Sequence, residues 1–233
     1  MRICCVSAAL FLAFVLTPLR LPAQPTEAQT EAPLAALALL SEDLASIHEL
    51  LLAQQFARAR SKANGLLLSL SETDDAGSVQ TAMALAFLAL AEAGGGNPTL
   101  ASCHWHAAQS LDAHLQHASL AAYGQAGALL EADNPQVTRR VGDKGATRPE
   151  KISGPPPGYT TRARKALLTG VVIVESIVRE DGRIPHLRVL RGLPMGLDLM
   201  TILAVCEWRF KPALYDGKPV AVYYPLTVNF AVR

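Results

Sequence analysis

The sequence predicts an α+β chain in two modules: an all-α N-terminal part and a small β, β, α, β domain with a three-stranded antiparallel sheet, joined by a linker. Three observations carry this. Residues 33–133 are rich in Ala and Leu at helical spacing, with almost no β-branched runs. After residue 158 the apolar period drops from about 3.6 to about 2 residues. Between them runs a polar stretch ending in Gly154-Pro155-Pro156-Pro157-Gly158, whose composition cannot build a core and stiffens toward polyproline geometry.

Taken in order, residues 1–23 read as an export signal. Arg2 supplies the charged start, Ile3 to Leu16 the apolar run, and Leu21-Pro22-Ala23 a small residue before a cut near Gln24. The run is shorter than the roughly 20 residues a spanning helix needs. Cleavage and a periplasmic mature chain are expected, with inner-membrane anchoring as the outcome if the signal is retained.

The helical module, 31–133, is expected to hold helices over 34–53, 56–70, 78–93, 98–111 and 116–132, with breaks at 71–77 and at Gly94-Gly95-Gly96-Asn97. Pro98 suits a first helical turn. Small residues at Ala59, Ala101 and Ala108 allow helices to cross closely. The linker, 134–158, is expected to leave few contacts between the modules. Beyond it, 161–168 is a short helix and Gly170 to Val178 alternates, with Val172, Val174, Ser176 and Val178 on one face. Asp181-Gly182 marks a hairpin, because both residues tolerate positive φ. Residues 184–190 form the return strand, 197–210 an amphipathic helix, Asp216-Gly217 a second turn, and 220–232 a long last strand.

Charge separates the halves. Residues 31–132 carry three basic and ten acidic side chains, and 159–233 carry eleven basic and six acidic. The formal net charge of only +1 gives no reason to expect nucleic acid as a partner. Cys103 and Cys206, one in each module, are expected as two separately buried thiols, with a cross-module disulfide as the alternative.

Helix-turn-helix spacing in the first module resembles a tetratricopeptide repeat, with Ala101, Trp105 and Ala108 at its second-helix positions and Leu85, Leu88 and Ala89 at its first. Phe56, Ala59 and Ala63 give a weaker upstream copy, and Ala113 stands where that family usually has proline. In the second module a longer series falls in order: Ala163-Arg164, Gly170 before alternating valines, Asp181-Gly182, Gly192-Leu193-Pro194, Leu197-Asp198, Trp208-Arg209-Phe210, Pro212-Ala213, Gly217-Lys218-Pro219-Val220 and Val228-Asn229-Phe230. From end to end, residues 159–233 resemble the TonB C-terminal domain.

That resemblance implies a binding protein in transport across the outer membrane. The family grips an extended segment of an outer-membrane transporter by adding it as a strand to the sheet. Carried onto this sequence, the partner-binding positions are Leu226, Thr227, Val228, Asn229, Phe230, Ala231 and Val232 on the last strand. The expected partner is an outer-membrane transporter or another envelope protein, with a possible second protein on the helical module. The chain departs from the family at three places. Tyr159-Thr160 replaces the usual Tyr-Pro, Pro225 interrupts the binding strand, and residues 1–23 lack the histidine through which the family's N-terminal helix engages the proton motor. An envelope scaffold that holds two partners without energy transduction is therefore the alternative.

No phosphate loop, dinucleotide glycine pattern or nucleophile elbow occurs, so neither an enzyme nor a small-molecule substrate or cofactor is expected. Cys103 with His106, and His114 with His117, are spaced to put two ligands on one helical face. On one continuous helix the outermost pair lie about 21 Å apart, too far for one ion. These histidines are expected on the surface, with no metal.

Overall fold

A computed structural model describes Leu34 and residues 41–73, 79–133, 137, 139–143 and 145–231. The signal segment and the cut near Gln24 lie outside the described residues.

Helix α1 (Glu42–Leu52) starts where Ser41 Oγ accepts the Leu44 amide, and buries Leu44, Ile47 and Leu51 at helical spacing. Helix α2 (Phe56–Ser71) turns Ala59, Ala63, Leu66, Leu67 and Leu70 inward. Helix α3 (Val79–Gly94) is buried on every side from Thr81 to Ala93, as the central rod of the module must be. Its six alanines let neighbouring helices approach closely, and a side chain at Gly94 would overlap the Phe56 ring. Helix α4 (Pro98–Leu111) begins on Pro98 and packs along α3.

The fifth helix departs from expectation. Residues 116–132 are two short 3-10 turns, Ala113–His117 and Ala121–Tyr123, followed by α5 (Gly124–Glu131). Gly124 takes φ +55°, which no continuous helix tolerates, and Gly127 packs so tightly on the Leu120 carbonyl that any Cβ would collide. The Leu and Ala spacing persists through the break, but the chain reverses there to bring Tyr123 over His48 and Phe87.

The second module holds β1 (Glu150–Ser153), α6 (Thr161–Lys165), β2 (Gly170–Val178), β3 (His186–Arg191), α7 (Leu197–Cys206), β4 (Arg209–Lys211), β5 (Ala213–Tyr215), β6 (Lys218–Val220) and β7 (Val222–Phe230). The main sheet is antiparallel in the order β3-β2-β7, so this is an α+β molecule with the expected three-stranded sheet. Val172, Val174, Ser176 and Val178 face its core, and Ser176 satisfies its buried hydroxyl on the Tyr224 carbonyl.

Helix α7 stops at Cys206 rather than at Phe210. Trp208 and Phe210, two residues apart, instead alternate into the core around β4. The segment expected as a linker is also structured. Its β1 pairs antiparallel with β4, Arg139 and Val141 bond the backbone of Tyr223, Thr147 pairs with Leu214, and Pro155 accepts the Trp208 indole N–H at 2.7 Å. Poor apolar content prevents a segment from building a core, but not from adding backbone hydrogen bonds to one that exists.

The modules are docked, contrary to the expectation of few contacts. One hydrophobic cluster runs through both, and α4 lies along β3. Glu72 at the end of α2 accepts the amides of Thr161 (2.8 Å) and Arg162 (3.2 Å) in α6, which holds its carboxyl below the usual range. Gly196 presses on the Ser71 carbonyl with no room for a Cβ. Cys103 and Cys206 are not separate thiols: they form a disulfide, Cα atoms 5.7 Å apart, between α4 and the end of α7. One cysteine per module is too little to signal a pair, because the pairing depends on how the modules dock.

Candidate partner-binding edge

The sheet has two edges, and they are treated differently. The β3 edge lies against α4 of the helical module. Among the described residues, the β7 edge is occupied only at its start, where Tyr223 N–H donates to Arg139 O (2.9 Å) and Tyr223 O accepts from Val141 N (3.1 Å). Arg140 stands beside the Tyr223 ring and the Glu175 carboxylate, which also receives Arg188 at 3.0 Å, so a basic segment clamps this end.

Those two bonds fix the polarity of the whole strand. Backbone groups alternate sides along an antiparallel strand. With Tyr223 pointing outward, the outward residues are Tyr223, Pro225, Thr227 and Asn229, while Tyr224, Leu226, Val228 and Phe230 bond β2. Pro225 therefore lacks a donor only on the outer side, and its pairing opposite Glu175 is undisturbed. Beyond it, Thr227 and Asn229 each present N–H and C=O outward. Among the described residues, no backbone group bonds them on that side.

The seven positions singled out on the last strand thus divide. Leu226, Val228 and Phe230 are 8%, 6% and 5% exposed, and their side chains close the core. Thr227 and Asn229 are exposed in side chain and free in backbone. Ala231 follows the strand, and Val232 lies outside the described residues. Sequence reasoning missed the Arg139–Val141 segment, which shortens the open edge. Backbone pairing by a polar segment leaves no side-chain signature.

The histidines fall differently from expectation. His104 is buried and bonded to Glu92. His106 sits in the seam, its ring 4.5 Å from that of His186 on β3 and its Nε2 3.4 Å from Asp133 Oδ2. They are interior because α4 is covered on both sides, by α3 and by β3, which a single-helix reading cannot reveal. His114 is exposed and caps on Asp112, and His117 is exposed. Cys103, once in the disulfide, offers no thiolate. Among the described residues, no three ligating side chains are arranged to hold a metal ion, and no helix is long and apolar enough to cross a membrane.

His186 yields a pH prediction. Burial, reinforced by neighbouring His106 and Arg188 and opposed by Glu175 and Asp133, pushes its pKa down to about 4. The folded state then binds this proton less readily than the unfolded chain, whose histidine titrates near 6.5. The stabilisation is complete above the unfolded value and is lost as pH falls through the folded one. Because the ring is partly exposed, the loss should be about 2 kcal/mol rather than the full shift. Urea titrations at pH 7.5 and pH 4 should show this fall, and His186→Leu should flatten it.

Residues 155–232 match the family described as Gram-negative bacterial TonB protein C-terminal. The match is confined to the second module, which therefore carries the TonB C-terminal domain. No curated protein matches the chain.

Proposed function

We propose that this chain is a periplasmic binding protein, not an enzyme, that holds an extended segment of an outer-membrane transporter by strand addition to the outer edge of β7. The observation that carries the reading is the free pair of backbone positions at Thr227 and Asn229, on an edge that the helical module leaves open. Edge pairing of this kind takes its affinity from main-chain hydrogen bonds and its selectivity from alternate side chains. The short register left beyond Pro225 suits a partner segment of only a few residues.

The scaffold reading gains from a separate observation. The helical module is fixed to the TonB-type domain by the disulfide and by Glu72, so a second protein bound to it would be held at a set distance from the first. Both readings share the β7 site.

Three proline variants test the site. Asn229→Pro removes an outward donor and should weaken binding of transporter N-terminal segments at least about tenfold by calorimetry while leaving the fold intact. Val228→Pro removes an inward donor and should unfold the sheet instead. Pro225→Asn restores an outward donor and should leave affinity unchanged or raise it. A folded Asn229→Pro variant that binds as tightly as the parent would exclude this edge.

A further inference from the structure

A second site lies at the seam, remote in chemistry from the β7 edge. A cleft of about 400 Å³ opens between α2, α3 and α4 on one side and α7 with the Pro155–Gly158 segment on the other. That volume falls in the roughly 300–1,000 Å³ range of small-molecule sites. Its walls are apolar: Leu68, which is 52% exposed, faces Met200, Leu203 and Pro156.

The polar lining is unusual for a packing void. Glu92 and His104 are each 3% exposed, and His104 Nδ1 donates to Glu92 Oε2 at 2.7 Å. The second ring nitrogen, Nε2, is buried and has no partner among the described residues. A buried polar pair gives little net stability over apolar residues of the same volume, and a half-satisfied one is worse. With Nδ1 committed to Glu92, Nε2 is the ring's unused hydrogen-bonding position.

Charge selects the ligand. Among the described residues, the lining carries two carboxylates, Glu92 and Glu207, and neither Lys nor Arg, so its field favours a cation. The disulfide also positions the site. His104 follows Cys103 and Glu207 follows Cys206, so the bond that ties the modules fixes the separation of the two polar ends. Such preorganisation lowers the entropic cost of binding.

We propose that this cleft binds a small organic cation: an apolar body seated between Leu68 and Met200, with a protonated amine balanced by the Glu92 and Glu207 carboxylates beside the His104 ring. The site is independent of strand addition at β7, and either can fail without the other. A small ligand here also goes beyond the partner proteins that the sequence suggests.

The test uses the oxidised full chain with phenethylamine as probe and phenylacetate, of similar size but opposite charge, as comparison. Calorimetry should show saturable one-to-one binding of phenethylamine and none of phenylacetate. Glu207→Gln, at an exposed position that keeps the fold, should weaken binding about tenfold, equivalent to about 1.4 kcal/mol. The His104 Nε2 resonance should shift on titration with phenethylamine, and Glu92→Gln should abolish that shift if the variant folds. Absence of saturable binding, equal binding of phenylacetate, or saturation with no His104 shift and full affinity in Glu207→Gln would each overturn the proposal.

Discussion

Replacing Cys103 and Cys206 together by serine should lower stability by about 3–5 kcal/mol. The bond closes a loop of 103 residues, and cross-links of about that span remove about 4.7 kcal/mol of unfolded-state entropy in the chain-entropy account. Both sulfurs are buried at the seam, so the serines would also leave hydroxyls among apolar neighbours. Chemical denaturation of the oxidised parent, the reduced parent and the double variant should put the last two together, well below the first. Limited proteolysis should then cut within 134–149 in the reduced protein and spare the oxidised one. Equal stability of oxidised and reduced chains would show that docking does not depend on the bond.

The second large effect is expected at Gly182, in the loop from β2 to β3. Its φ is +75°, and a Cβ built there would overlap the carbonyl oxygen of Phe210, while its own carbonyl accepts the Phe210 amide. Gly182→Ala should therefore cost about 2–4 kcal/mol, combining left-handed strain with a backbone collision. Gly217 supplies the control. It has the same φ of +75° in the β5–β6 turn, but no atom lies within 4 Å of its missing Cβ. Gly217→Ala should lose only the conformational part, about 1–2 kcal/mol. In thermal melts the two variants should separate by several degrees. Identical losses would mean that the loop shifts to relieve the contact.

What could be read from the sequence, and what could not, follows from where the signal resides. The β2 face was legible because Val172, Val174, Ser176 and Val178 alternate, and helices α2 to α4 because Pro98 and Gly94 to Gly96 punctuate them. The end of α7 was not, because Trp208 and Phe210 satisfy a helical stripe as well as a strand, and only pairing with β1 decides between them. Nothing in 139–153 advertises strands, since those residues contribute backbone rather than core. Docking was hidden for a related reason. Its fixed points are single residues far apart in sequence, such as Glu72 with Thr161 or Gly196 with Ser71, and none has a periodic pattern. At the binding edge, the strand was readable from Val228-Asn229-Phe230, but its outward residues were not, because the polarity of β7 is set by Arg139 and Val141.

That polarity is what the functional account stands on, and amide hydrogen exchange reads it residue by residue. In the free protein, the amides of Leu226 and Val228 should already be protected by β2, and those of Thr227 and Asn229 should exchange freely. Saturation with a transporter N-terminal segment should protect Thr227 and Asn229 at least about tenfold while leaving Leu226 and Val228 nearly unchanged. A bound segment that leaves Thr227 and Asn229 exchanging at their free rates would contradict strand addition at β7.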